Sequence, residues 1–297
     1  MPRSFPPDVV LIDTDALVHA RFGRGKSGMR LVQAKPYRLA ADTFTASTVT
    51  PQLSNQSALA ETLRRLRNET GRWDKVSLLL PDSWFRINLI DLPSLPERDV
   101  EAMDVVRWSL KKTLPIAPEQ LRVTYSVLSR EGSAARVLVL SALEATLAGI
   151  EKVFNAAGLD VVLIEPIGLN IWNAITVREA ETTADRLFLY VREGEFTTAV
   201  FRGAQPLFIR SRNLTSERAV EQEIRLSASY LRDTLAVESF ANCYVAGIGG
   251  AAVHETLASE FDTQVRPVVL RDYVAEFPAD TYNLDAELTA CAGVFTG

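Results

Sequence analysis

The chain has 297 residues, of which 47% are hydrophobic and 23% are charged, and its formal net charge at pH 7 is −5. This balance is that of an ordinary globular protein, and the length allows one large domain or two medium ones with a sizeable core. The negative charge argues against nucleic acid as a partner, because contacts with the phosphate backbone need an excess of basic side chains.

The first part of the sequence predicts an alternation of strands and helices. Short apolar runs bounded by polar residues indicate buried strands, and leucines at helical spacing before Gly71 indicate a helix. The glycine-rich segment 23–28 falls one residue short of a nucleotide-binding P-loop, but strand-like residues follow it, so it predicts a hairpin turn. The expected strands cover residues 9–12, 17–22, 29–40 and 76–80, and the expected helix covers 56–69.

Residues 86–128 predict a compact unit within this alternation. The pattern indicates a strand, a proline-bounded loop, an amphipathic helix, a stop at Pro115 and Pro118, and a second strand that ends at Leu128. Such a unit is typical of an insertion, so we expect a small subdomain at about 86–130. A strand at 136–140, a helix at 142–157, a strand at 161–164 and a helix that begins at Pro166 are expected to follow.

The second half repeats the element order of the first half. Its expected elements are strands at 186–192, 195–203 and 206–212, a helix at 215–235, a strand at 243–246, a helix at 251–260, a strand at 265–269 and a terminal helix from about 285. Each half thus has three strands and then alternating helices and strands. This order predicts an α/β protein with a duplicated ribonuclease-H-like (actin-like) fold, whose two lobes meet at a cleft. We place the first lobe at 1–164 and the second lobe at 165–297.

The cysteines and histidines give no sign of a disulfide or a metal site. Cys243 and Cys291 lie far apart in apolar segments, which predicts free buried thiols in a reducing compartment. His19 and His254 lack the spacing of a helical metal-binding pair, so we expect each to be a core or surface residue.

The sequence also predicts a cytoplasmic protein that does not insert into a membrane. The first eight residues contain no apolar stretch typical of a secretory signal. No apolar run approaches the roughly 20 residues that a spanning helix needs. We therefore expect the protein to reach a membrane only through a partner.

The sequence of the inserted unit resembles that of the PilM-type actin-like proteins of type IV pilus assembly, which belong to the group that also includes FtsA. Pro93 and Pro96 flank the loop, Trp108 lies within the helix, and Tyr125 lies in the strand after the proline stop. Further similarities follow in the order expected for that family. They are the linker Val162–Leu169, the strand Gly203–Arg210, the helical segment that begins at Glu223, the glycine-rich loop Val245–Ala251 and the small-residue ending Ala290–Gly297.

The resemblance implies a nucleotide site in the cleft, formed by two strand turns and a glycine-rich adenosine loop. It would hold ATP with Mg²⁺, and Asp13 would face the metal. The matching positions are Asp13, Thr14, Asp15, Gly194, Thr197, Arg225, Gly247, Gly249 and Gly250. No catalytic residue is assigned.

The phosphate-binding turns depart from the family pattern. Asp15 stands where the first turn usually has glycine, and a second carboxylate beside a phosphate costs about 1–4 kcal/mol. In the second turn, the bulky segment Leu189–Gly194 replaces the usual Asp-Ile-Gly. The glycine loop is also typical of a tight strand-to-helix turn. We therefore expect nucleotide binding to be weak or lost.

By the same resemblance, the protein is expected to be a cytoplasmic scaffold of a type IV pilus or a related secretion machine. It would bind the cytoplasmic N-terminal tail of a single-pass, PilN-like inner-membrane protein, and other pilus assembly proteins are further implied partners. We expect the tail to bind as an extended peptide in a groove near Leu80–Asn88 and Val123–Leu128.

Three other functions remain open at this point. The first is a working ATPase of the same fold, which would switch between open and closed clefts. The second is the cytoplasmic domain of a GspL-like type II secretion protein, a family that continues into a membrane helix. The third is a division protein such as FtsA, although that group usually ends in an amphipathic membrane anchor.

Overall fold

A computed structural model provides the structure of the chain. It describes residues 5–13, 15–45, 51–71, 73–111, 116–179, 183–192, 194–214, 218–235, 237, 239–248, 251–261, 263–278 and 284–296. These residues form two five-stranded sheets, a three-stranded sheet and a short two-stranded ladder.

Strands and helices alternate along the chain as the sequence predicts. The elements of the first half are β1 (Asp8–Ile12), β2 (Ala16–Arg24), β3 (Met29–Arg38), β4 (Phe44–Thr45), β5 (Gln52–Leu53), α1 (Gln56–Thr70), β6 (Lys75–Leu80), β7 (Phe85–Leu92), α2 (Asp99–Lys111), β8 (Leu121–Glu131), β9 (Ala134–Leu143), α3 (Glu144–Ala156) and β10 (Asp160–Pro166). Those of the second half are α4 (Ile167–Arg178), β11 (Asp185–Arg192), β12 (Glu195–Arg202), β13 (Gln205–Asn213), α5 (Arg218–Leu235), β14 (Asn242–Gly247), α6 (Ala251–Phe261), β15 (Val265–Pro267) and α7 (Asp285–Gly293).

The local sequence explains where these elements begin and end. Helix α1 buries Leu59, Leu63 and Leu66 on one face, the Asn55 side chain caps its first turn, and Gly71 ends it with a positive φ. All five residues of β1 are buried, as expected for an apolar strand in the middle of a sheet. Residues 25–28 form the β2–β3 hairpin turn, which confirms the hairpin predicted in place of a P-loop.

The two large sheets have the same strand order and the same strand directions. The first sheet runs β10-β6-β1-β2-β3, and the second runs β15-β14-β11-β12-β13. In each sheet the first three strands in sequence are antiparallel, and the later two are added in parallel on the other side. The duplicated, actin-like architecture predicted from the element order is therefore confirmed.

A single hydrophobic core joins the two lobes. It combines residues of β1 and β2, of β11 and β12, and of helices α4 and α7. The two helices pack closely because Gly293 of α7 has no side chain. A Cβ atom at this position would lie 1.8 Å from the Asn170 carbonyl oxygen of α4. The lobes are thus in contact through buried side chains as well as across the cleft.

The inserted sheet extends past the predicted boundary. Its order is β7-β9-β8, so β9 is the central strand and pairs on both sides. Residues 136–140 were predicted to form a strand of the main lobe, after an insertion that covers about 86–130. That boundary was too early, because an apolar strand pattern does not show which sheet the strand joins. Helix α2 packs on this sheet through Val106 and Leu110.

Candidate functional site

The two strand turns predicted to hold phosphates meet across the cleft. Asp13 follows β1 in the first turn, and Asp15 lies exposed in the same turn. Arg192 ends β11 and leads into the second turn, where Gly194 has a φ of +73°. The Arg192 guanidinium forms an ion pair with the Asp13 carboxylate, and their side chains are only 13% and 14% exposed. A protein cation therefore occupies the side of Asp13 that faces the second turn.

Two buried carboxyl groups lie next to these turns. Asp82 follows β6 in a short 3-10 helix (Asp82–Trp84), and its Oδ1 accepts a hydrogen bond from the Gly168 N–H at 2.7 Å. Gly168 is in the first turn of α4, where free N–H groups favour a carboxylate. Glu195 begins β12 and accepts a hydrogen bond from the Ser83 N–H. This bond links the first lobe to the second lobe.

Burial dominates the electrostatics of this region. It raises the pKa of Asp82 to about 7, with a further increase from the nearby Glu195 charge. The pKa of Glu195 is also raised by burial, which outweighs its bond to Ser83 and its attraction to Arg192. Burial lowers the pKa of Arg192, while Glu195 and Glu287 favour its charged form. The cleft is therefore rich in carboxyl groups, and Arg192 supplies a positive charge to Asp13, Glu195 and Glu287.

The other predicted nucleotide residues have mainly structural contacts. The buried Thr197 hydroxyl lies 3.0 Å from Ser211 Oγ, within hydrogen-bond distance, and its presence slightly lowers the pKa of Asp82. Arg225 is exposed on α5, and its ion pairs are with Glu221 and with Glu260 of α6. Thr14, Gly249 and Gly250 lie outside the described residues.

Gly247 has a clear packing role. It ends β14 with a φ of +82°, and a Cβ atom there would lie 2.1 Å from the Val191 carbonyl oxygen. The next residue, Ile248, donates its N–H to the same oxygen at 2.8 Å. The start of the glycine loop therefore touches the end of β11 beside Arg192, and the glycine is needed for this tight strand-to-helix turn.

The sequence analysis did not single out Asp82, Glu195 or Arg192. A signal existed for Asp82, because it follows a buried strand, and the carboxyl ends of strands in open α/β sheets commonly form sites. Arg192 was noted only as part of a bulky segment. Its pairing with Asp13 depends on the approach of the two lobes, which no local pattern shows.

A groove separates the inserted sheet from the first large sheet. Its volume is about 230 Å³. One wall consists of Phe85 and residues of β8 and β9, and the other consists of Val161–Ile164 of β10. Among the residues that the structure describes, β10 pairs only with β6 and β8 pairs only with β9, so two strand edges border the groove. We call this space the edge groove.

One end of the edge groove is polar. Arg122 of β8 binds Glu144 and Glu151 through four hydrogen bonds between 2.5 and 3.0 Å. These bonds hold the pKa of Glu144 below its usual value, so the cluster stays charged. The rest of the lining is mostly apolar and includes Leu140, Leu147 and Val162.

The predicted groove segments only partly line this space. Phe85 and Thr124 belong to the edge groove, but most of the segment 83–88 lines a different cavity, opposite the end of β13. The second wall of the edge groove is β10, which the sequence analysis did not include.

The described residues contain no group of three or more potential metal ligands. None of the helices in this part of the chain is long and apolar enough to cross a membrane. Both cysteines are free and buried, as predicted. His19 is a buried residue whose Nε2 lies 2.7 Å from Asp8 Oδ1, which is the first of the two roles, core or surface, that were predicted for it.

Comparison with solved structures identifies the fold. The chain is similar to a chain in the PilM–PilN type IV pilus biogenesis complex, with 19% sequence identity, 99% of this chain and 98% of that chain covered, and a TM-score of 0.81. It is also similar to a Bacteroides thetaiotaomicron protein with an actin-like ATPase fold (11% identity, 98% and 95% covered, TM-score 0.58). A third similar structure is the cytoplasmic domain of EpsL, an inner-membrane component of the type II secretion system of Vibrio cholerae. The sequence identity is 12%, 98% of this chain and 94% of that chain are covered, and the TM-score is 0.56.

No family model matches the chain, and no curated protein matches it significantly. The structural likenesses establish an actin-like fold of the PilM type over nearly the full chain.

Proposed function

We propose that this protein is a cytoplasmic, actin-like scaffold of a type IV pilus or a related secretion machine. It binds the cytoplasmic N-terminal tail of a PilN-like inner-membrane protein and contacts other assembly proteins, and it stays peripheral to the membrane through these partners. The fold shared with the PilM–PilN structure supports the class of machine. The observation that carries the binding role is the edge groove.

The edge groove suits an extended peptide. A strand edge carries backbone N–H and C=O groups that can pair with an added chain, which gives affinity. Apolar side chains such as Leu140 and Val162 can receive alternate side chains of the peptide, which gives specificity. The Arg122 cluster closes one end with fixed charges. The proposed peptide site is therefore the space between β8 and β10, which the segments Leu80–Asn88 and Val123–Leu128 line only in part.

We further propose that nucleotide binding is weak or lost. A triphosphate with Mg²⁺ needs the Asp13 carboxylate and open space between the two turns. Here Arg192 pairs with Asp13, and Glu195 lies at the start of the strand after the second turn. The residues present do not fit the group, because its binding would require Arg192 to leave a largely buried ion pair.

The proposal is tested by measuring how peptide affinity responds to one charge in the edge groove. The probe is a synthetic peptide of the cytoplasmic N-terminal tail of a PilN-like single-pass membrane protein from the same organism, and affinity is measured by calorimetry. Val162→Asp places a carboxylate on β10, where the native side chain is 43% exposed. We expect at least about tenfold weaker binding, because the charge must be desolvated beside the peptide.

Val32→Asp is the matched control. Val32 is 48% exposed on β3, the opposite edge strand of the same sheet. Its substitution should leave peptide affinity unchanged. Equal affinity of both variants, or no binding by the unmodified protein, would reject the edge groove as the peptide site.

The likeness to the EpsL domain supports a second candidate, a GspL-like component of a type II secretion machine. Peptides from the two kinds of partner separate these functions in the same calorimetric assay. A working ATPase is tested by titration with Mg-ATP. Micromolar binding together with turnover that Asp13→Asn abolishes would favour the enzyme over the scaffold.

A further inference from the structure

Two strands that meet between the inserted sheet and the second lobe each contain a β-bulge. In β8 the pairing with β9 shifts between Val127 and Ser129, so Leu128 is an extra residue. In β13 the pairing with β12 shifts in the same way, and Leu207 is the extra residue. Because a bulge leaves its extra residue outside the regular ladder of backbone hydrogen bonds, the carbonyl group of that residue is available to another donor.

Each bulge carbonyl accepts a hydrogen bond from a side chain of the opposite subdomain. Gln205 of β13 donates from Nε2 to the Leu128 carbonyl oxygen at 3.1 Å. Arg136 of β9 donates from Nη2 to the Leu207 carbonyl oxygen at 3.3 Å. The inserted sheet thus provides one donor and one acceptor, and the second lobe provides the same in return. We call this reciprocal pair of hydrogen bonds the clasp.

The clasp connects two sheets without joining their ladders. β8 is the edge strand of the inserted sheet, and β13 is an edge strand of the second large sheet. A bulge bends and twists an edge strand, which opposes further ladder pairing, so side chains bridge these two edges instead. Asp91 of β7 lies 3.8 Å from Arg136 Nε and helps to orient the guanidinium group.

The two strands of the inserted sheet that contribute to the clasp also form a wall of the edge groove. Thr124 of β8 and Leu140 of β9 line the groove, and each lies four residues from a clasp residue of its own strand, Leu128 or Arg136. Four residues of extended strand span about 13 Å. The second lobe therefore holds one end of the β8–β9 hairpin, while the other end faces β10 of the first lobe across the groove.

We propose that the clasp fixes the β8–β9 hairpin against the second lobe and that the second lobe thereby sets the width of the edge groove. Gln205 and Arg136 are positioning residues, because the described lining of the groove includes neither of them. The control of the groove rests on the peptide site proposed above, whereas the clasp itself does not.

Electron paramagnetic resonance between two spin labels tests the clasp in the full chain without peptide. Ser126→Cys in β8 and Gln222→Cys in α5 place the labels at exposed positions on the two sides, and both native cysteines are buried. Gln205→Glu replaces the N–H donor by a carboxylate, which repels the Leu128 carbonyl oxygen. We expect this variant to broaden the distribution of label distances. Gln205→Lys keeps an N–H donor and is the matched control, with an unchanged distribution.

Calorimetry with the PilN-like peptide tests the control of the groove. Gln205→Glu should bind the peptide about 3- to 10-fold more weakly, the range expected when one hydrogen bond that orders the groove wall is lost. Arg136→Met removes the other donor and should weaken binding as well, whereas Gln205→Lys should leave peptide affinity unchanged. Melting temperatures establish that each variant is folded.

The two measurements separate the parts of the proposal. An unchanged distance distribution in Gln205→Glu overturns the clasp, whatever the peptide affinity. A broadened distribution with unchanged peptide affinity overturns the control of the groove by the second lobe. Absence of peptide binding by the unmodified protein rejects the peptide site and the control of the groove with it, while the label distances still decide whether the clasp exists.

Discussion

The ion pair between Arg192 and Asp13 should hold the two strand turns together. We expect Arg192→Met, which keeps most of the side-chain volume and removes the charge, to reduce the free energy of unfolding. The variant leaves the largely buried Asp13 carboxylate without this cation, and Glu195 and Glu287 lose the same compensating charge.

The magnitude follows from burial and from Coulomb's law. Two opposite charges at about 4 Å attract by about 4 kcal/mol at the effective dielectric constant of a protein near its surface. Removing one partner of a buried pair typically costs about 3–5 kcal/mol. Since both side chains keep slight exposure, we expect a loss of about 3 kcal/mol for Arg192→Met. Asp13→Asn should cost somewhat less, and the double variant should cost clearly less than the sum.

Urea unfolding of the two single variants and the double variant measures the coupling energy, which we expect to be about 2 kcal/mol. Arg202 and Asp185 provide a matched cycle, because they form an arginine–aspartate pair at 2.7 Å between neighbouring strands of one sheet, and the Arg202 side chain is 59% exposed. That pair should show a clearly smaller coupling energy, because water screens the exposed guanidinium. A coupling below about 0.5 kcal/mol for Arg192 and Asp13 would refute the reasoning.

Three further predictions concern the cleft. Because folding raises the pKa of Asp82 to about 7, this group makes the native state lose stability as the pH rises from about 4 to 7. Asp82→Asn should reduce this loss by about 3 kcal/mol in urea unfolding compared at pH 4.5 and pH 8, and an equal pH dependence of both proteins would contradict the prediction. Gly168→Ala should destabilise the protein by about 2 kcal/mol or more in thermal unfolding, because its Cβ would lie 2.2 Å from Asp82 Oδ2. The control is Gly149→Ala in α3, whose Cβ would meet no atom within 4 Å, and this variant should be neutral or stabilising. Arg192→Ala should bind Mg-ATP at least about tenfold more tightly than the unmodified protein in a calorimetric titration, and unchanged affinity would show that Arg192 does not block the site.

The sequence predicts the architecture well because the fold depends on local periodicity. Apolar runs such as that of β1, leucines at helical spacing in α1 and glycine-rich turns identify the elements, and their repeated order identifies the duplication. The partner of each strand is harder to infer. The sequence of β9 has the pattern of a buried strand, and that pattern would be the same in either sheet. Its position in the centre of the inserted sheet is set by its pairing with β7 and β8.

The candidate sites were predicted less completely than the fold. The unusual second turn was visible in the sequence, but the bond between Arg192 and Asp13 forms only when the lobes meet. The edge groove forms because β10, the edge strand of one sheet, lies next to β8, the edge strand of another. The cavity opposite the end of β13 likewise combines side chains from β7 and β13, and no spacing along the chain indicates that these strands approach each other.

Phe85 is part of the wall of both the edge groove and a cavity of about 290 Å³ that lies between β7 and the end of β13. A rotation of this one ring would change the shape of both spaces at once. Any such effect must be reciprocal: the factor by which an occupant of one space alters affinity in the other is the same in both directions. Phe85 would therefore couple the proposed peptide site to the neighbouring cavity through the first strand of the inserted subdomain.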